Sequence, residues 1–132
     1  MAAKQGKTAV YLESGEKRTI VAALEWPGWN RSGRGDDAAL EAFLAAAPRY
    51  AKIARRAGLS FVAPRELEDL DIVERFPGTA TTDFGAPDAS PSSDEEKLDA
   101  PARKRAFDLL KACWQAFDDA VADARGKELR KG

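Results

Sequence analysis

Arg18 to Tyr50 reads RTIVAALEWPGWNRSGRGDDAALEAFLAAAPRY, and this stretch decides the fold. From Arg18 to Trp26 it alternates. Ile20, Ala22 and Leu24 fall on one side and Val21 and Ala23 on the other, which is the two-residue period of a strand. Pro27 lacks the N–H that a strand ladder needs, so the strand stops there, and Gly28 permits a sharp turn. Asn30 to Gly35 is polar and glycine-rich and reads as loop. Asp36 or Asp37 then caps a helix with Leu40, Phe43, Leu44, Ala47, Tyr50 and Ala54 along one face. Pro48 sits inside that pattern. A proline within a helix costs about 3 kcal/mol and frees a carbonyl one turn back, near Leu44. The spacing therefore predicts a kink, or a short second helix from Pro48 to Arg56. Gly58 suits the C′ position, and Arg55 and Arg56 suit the negative end of the helix dipole.

On the N-terminal side, Lys7 to Glu13 is a second β-like run, with Val10 and Leu12 on one face and Tyr11 on the other. The turn Ser14-Gly15-Glu16-Lys17 joins the two runs as a hairpin. On the C-terminal side, Leu59 to Val62 is short and β-like. Asp71 to Phe76 predicts a strand, with Ile72, Glu74 and Phe76 on one face. Pro77-Gly78 is a turn. Thr79 to Phe84 reads as a further strand or an ordered loop, with Phe84 anchored in the core. Gly85 to Ser93 has the composition of an exposed linker. The last helix opens at Ser93 with a Ser-Asp-Glu-Glu capping box, or near Ala100, because Pro101 lies early in the segment. Its wide apolar stripe (Ala106, Phe107, Leu110, Cys113, Trp114, Phe117, Val121) is expected to dock on the sheet, and it ends near Gly126. The expected fold is α+β. A small antiparallel sheet, the N-terminal hairpin plus one or two further strands, is packed by a central helix and a long C-terminal helix. Residues 1–88 form the core and 89–132 the linker and last helix, in one domain overall.

The 44% apolar content overstates that core, because 26 residues are alanine and the few aromatic side chains must supply most of the buried area. A net charge of −1 gives no global field to attract nucleic acid or an anionic membrane. The acidic groups crowd before the last helix, and the basic tail RGKELRKG reads as a solvated helix end. The chain shows no signal-peptide pattern and no apolar run of membrane-spanning length, so a cytoplasmic location is expected.

There is no histidine, which removes the commonest general base and the commonest metal ligand together. Cys113, the single cysteine, excludes an internal disulfide and lies on the apolar helix face as a small core residue. The pairs Asp36/Asp37 and Asp118/Asp119 read as caps and solvated charges. No catalytic residue, metal or cofactor is expected. The residues singled out for binding are Trp26, Trp29, Arg31, Arg34 and Asp83. Trp26 fills the gap between hairpin and helix. Trp29 follows the turn, core or exposed; exposed beside Arg31, it would suit a partner surface or a ligand lid. Arg31-Ser32-Gly33-Arg34-Gly35 could cradle an anion before a helix, although Asp36 and Asp37 already place negative charge there. Asp83 is a turn or capping residue; if its loop folds toward the Trp-Pro-Gly-Trp corner, Asp83 and Arg31 line one cleft.

The run from Ile20 to Tyr50 resembles the core of HicB-like antitoxins, in which a strand ends at a Pro-Gly corner and a glycine-containing loop leads into a helix with Ala-Leu near its start. Here these are Trp26-Pro27-Gly28, Gly33 and Ala39-Leu40. The resemblance implies a small ββαβ-type fold that binds a partner protein. A longer pattern covers most of the chain: YLE (11–13), WPGWNRSGR (26–34), APRYA (47–51), TTDFGAP (81–87), CWQAFD (113–118) and ELRKG (128–132). It is similar to uncharacterised bacterial proteins, some labelled DinB-like, that continue into further helices, so the chain is expected to be the N-terminal part of such a protein. DinB-like enzymes hold a metal with histidines, which this chain lacks. HicB-type repressors add a DNA-binding segment, and no helix-turn-helix or ribbon-helix-helix pattern occurs here. The expected function is a non-catalytic binding or regulatory module for a protein partner or a second copy, with no membrane association and nucleic acid disfavoured. It predicts an exposed apolar patch around Trp29 or along the last helix. The alternative is part of a small-molecule-binding or DinB-like enzyme, with a pocket lined by Trp29, Arg31 and Asp83.

Overall fold

A computed structural model describes residues 6–132 of the chain. In order, the elements are β1 (Thr8–Ser14), β2 (Thr19–Ala23), β3 (Asn30–Gly33), α1 (Asp36–Ala45), α2 (Ala47–Arg56), β4 (Leu70–Pro77), the single turn α3 (Ala80–Asp83) and α4 (Ala100–Asp123). The fold is α+β with a long C-terminal helix. The chain forms two compact units. One takes in residues up to Ala51 together with Val62–Lys97, and the other takes in Lys52–Phe61 with Leu98–Gly132.

The four strands of the first unit make one sheet in the order β3-β2-β1-β4. The hairpin forms as its alternation predicts, with β1 antiparallel to β2 and Leu12 opposite Val21. Two features depart from the sequence reading. Asn30 to Gly33, expected as loop, is a strand antiparallel to β2; at a sheet edge a polar segment can pair through its backbone without supplying apolar side chains. The sheet is also mixed rather than purely antiparallel, because β4 runs parallel to β1. A parallel neighbour requires a long crossover, and α1 and α2 provide it between β3 and β4.

β1 is buried along nearly its whole length. Val10, Leu12 and Ser14 share the face on which α1 starts, for Ser14 Oγ reaches Asp36 at the first turn of that helix. α1 lies against β2 and β3 and buries Ala39, Leu40 and Phe43. α1 ends at Ala45 and α2 begins at Ala47, so Pro48 divides the predicted helix in two. Pro48 is then the second residue of a new helix, where its missing N–H costs nothing.

A bulge in β4 sorts its side chains. Val10 pairs with Ile72 but Tyr11 pairs with Glu74, which leaves Val73 as the extra residue. Ile72 therefore shares the face of Val10, while Glu74 and Phe76 share that of Tyr11 and Glu13. The strict alternation that grouped Ile72 with Glu74 and Phe76 is broken there. Phe76 meets Tyr11 edge-on, with ring centroids 6.0 Å apart.

Candidate functional site

The Trp-Pro-Gly-Trp corner is a tight turn. Trp29 N donates to Trp26 O at 3.3 Å, and Gly28 has φ 87°. Proline at the second position and a left-handed glycine at the third define a type II turn. Ala23 N donates to Trp29 O at 3.0 Å, which fixes the start of β3. The turn aims Trp29 inward, where it is only 2% exposed. Its ring stacks on Phe43 of α1 (4.0 Å, 6°) and on Tyr50 of α2 (5.5 Å, 20°). Its Nε1 donates to Phe43 O at 3.2 Å, and Tyr50 OH donates to Pro27 O at 2.7 Å. Trp26 meets Tyr50 edge-on at 6.0 Å and is half-buried. Trp29 is thus the core residue of the corner, and Trp26, expected to fill the gap between hairpin and helix, lies nearer the surface. The expectation of an exposed patch around Trp29 fails for the same reason.

Arg31, Arg34 and Asp83 do not gather at this corner. Arg31 lies on β3 opposite Val21, and its Nη1 donates to Asn30 O at 2.6 Å. Arg34 follows the strand and is exposed. Asp83, the last residue of α3, belongs to the β1–β2 turn. Its Oδ1 accepts from Lys17 N at 2.8 Å and Arg18 N at 3.1 Å. This is the turn-capping role, and the cleft imagined between Asp83 and Arg31 is not formed. Gly15 lets the two segments touch, since a Cβ there would collide with the Asp83 carboxylate. α3 itself is a helical turn where a strand or loop was expected. Thr79 caps it by accepting from Thr81 N, and Phe84, expected in the core, is 91% exposed.

Three carboxylates, Asp36, Glu13 and Glu74, organise this unit. Asp36 does not cap α1; no side-chain cap bond forms there. Its Oδ1 accepts from Ser14 Oγ at 2.7 Å and Thr19 Oγ1 at 2.8 Å, and its Oδ2 pairs with Arg75 Nη1 at 3.0 Å. The Ser14 hydroxyl above all, then those of Thr19 and the Arg75 guanidinium, hold its carboxyl below the usual range against an opposing desolvation effect. Glu13, 1% exposed, accepts from Asp88 N at 2.9 Å and from Ala89 N. Glu74 accepts from Ser92 N at 2.9 Å and Ser92 Oγ at 2.8 Å. The segment expected to be a linker is therefore pinned to the sheet, with Pro91 buried. Burial and the charges of Glu13 and Asp94 raise the Tyr11 hydroxyl above its ordinary value. The one available signal was a carboxylate at an inward position of an alternating strand.

In the second unit, α4 starts at Ala100 with Asp99 as its cap, Asp99 Oδ1 accepting from Ala102 N at 2.8 Å. Pro101 thus marks the start, and the Ser93 region is instead a separate 3-10 turn, Ser92–Glu95. The large apolar residues of the expected docking stripe are exposed. Phe107, Trp114 and Phe117 are 65%, 65% and 68% exposed, with Leu110 and Val121 at 45% and 53%. The face that is buried carries Leu109 and Ala112. In the same unit Asp119 pairs with Arg56 at 2.7 Å. Periodicity placed the aromatic side chains on one face correctly but assigned that face to the interior.

No family model, curated protein or solved structure matches the chain. Among the described residues, no group of three or more acidic or cysteine side chains is placed to hold a metal ion. Among them also, no helix is long and apolar enough to cross a membrane.

Proposed function

We propose that the protein is a non-catalytic binding module with a HicB-like α+β core, and that it engages a protein partner through the exposed stripe of α4. The observation that carries this reading is the stripe itself. Five large apolar side chains lie on one helical face at 45% to 68% exposure. Contiguous apolar surface of this kind marks interaction sites, and aromatic side chains are enriched at the centres of interfaces. The first unit sets β1 and β2 before α1 and β4 after it, as in a ββαβ core, with β3 as an additional strand ahead of the helix. The enzyme alternative predicts one pocket lined by Trp29, Arg31 and Asp83, whereas each of the three serves a separate local contact.

The test is a photo-crosslinking amino acid placed at Trp114 in producing cells, with Glu68 as an exposed control. Covalent adducts to protein are expected at Trp114 and not at Glu68, and they should vanish when Phe107→Ser and Phe117→Ser are combined. Adducts no more abundant at Trp114 than at Glu68 would sink the reading.

A further inference from the structure

We infer that the α4 stripe docks on the same stripe of a second copy, with the two helices antiparallel; this rests on the reading of the stripe as a protein-binding surface. Phe107, Leu110, Trp114, Phe117 and Val121 follow one another at steps of three, four, three and four residues. That is the a/d seam of a two-stranded coiled coil. Residues of an ordinary core-facing helix spread over a wider arc. Here the remainder of the apolar surface, Leu109 and Ala112, belongs to the separate buried face.

The flanks of the seam choose the partner and its direction. On one flank stand Lys111 and Asp118, both exposed, and among the described residues neither joins an ion pair. On the other stand Ala106, Cys113 and Ala120, small enough for close approach. In an antiparallel pair like flanks meet, so Lys111 of each copy faces Asp118 of the other. In a parallel pair each flank meets the opposite one, and Lys111 would face only Ala106 or Cys113. In the antiparallel register Leu110 meets Val121 and Trp114 meets Phe117, so the largest rings lie at the centre of the seam. A helix complementary to itself in charge is fitted by its own copy. The three rings, about two-thirds exposed, would together bury about 300–500 Å² per copy. A standard interface buries about 800 Å² per partner, so the rings alone make a small interface of the weak, transient class.

Sedimentation equilibrium on the full chain across the micromolar range tests this. A monomer–dimer equilibrium is expected. Each dimer contains the Lys111–Asp118 contact twice, so Lys111→Glu should weaken association about tenfold. Combining Lys111→Glu with Asp118→Lys should restore it to the original strength. Both positions are exposed, and circular dichroism verifies that each variant is folded. Indifference to the single reversal, or failure of the double variant to recover, overturns the antiparallel pairing. A chain that stays monomeric at every concentration overturns the second copy as partner. If crosslinks at Trp114 persist in that case, the binding module stands with a different partner; if they are absent as well, both readings fail.

Discussion

The Trp-Pro-Gly-Trp corner and the α4 stripe carry the same kind of residue in opposite situations. At the corner, Trp29 lies against Phe43 and Tyr50 and is 2% exposed. On α4, Trp114 is 65% exposed. In sequence the corner reads as a turn and the α4 stripe as a buried face. What separates them is backbone constraint. A type II turn and a broken helix bring elements to Trp29 from two directions, and its indole N–H finds the Phe43 carbonyl. Trp114 sits on a long uninterrupted helix that already buries a different face. Periodicity tells which residues share a face; covering that face takes a second element, and the helical pattern does not name it.

The largest test of this contrast is Trp29→Ala. Removing a fully packed ring should cost about 3–5 kcal/mol, read from urea denaturation. A loss under about 1 kcal/mol would mean the corner is not the anchor of the first unit. Gly28→Ala follows at about 1–2 kcal/mol. A Cβ at Gly28 meets nothing within 4 Å, so the cost is purely that of its left-handed backbone. An unchanged melting temperature would show that the turn does not hold Trp29 in place.

Acid provides a smaller and graded test. The Asp36 carboxyl titrates below its unfolded value of about 4 because of its hydroxyl and guanidinium partners. Its stabilising contribution is therefore complete above that value and is lost as pH falls through the lower folded value. Between pH 6 and pH 3 the urea midpoint of the parent protein should fall further than that of the Asp36→Asn variant. Equal falls would remove Asp36 from the groups that hold α1 to the sheet. The smallest effect belongs to Trp114→Ala, expected within about 0.5 kcal/mol of the parent. A loss as large as that for Trp29→Ala would erase the contrast between the two regions.

How much of this was legible follows the range of the interactions. The β1–β2 hairpin and the break before Pro48 come from neighbours in the chain, and both were read from spacing alone. β3 was missed because Asn30 to Gly33 has the composition of a turn and becomes a strand only by pairing with β2. The parallel placement of β4 depends on a crossover, which no local pattern encodes. Glu13 binds the backbone of Asp88, 75 residues away, so a segment that composition marks as linker is held against the sheet. For the binding residues, the turn type decides which tryptophan points inward, and it was recognised as a corner without its geometry. The patch along the last helix was anticipated as one of two places for exposed apolar surface, and it is the one present.

The outermost strands have a bearing on solubility. β3 is four residues long and is followed by Gly and Arg, while β4 ends on Pro77 and carries Glu74 and Arg75. Short length, charge, a bulge and a terminal proline are the devices by which sheet margins resist adding a strand from a neighbouring molecule. Arg31 on β3 and Arg34 just after it put positive charge at that margin, and a second molecule adding a strand there would have to bury it.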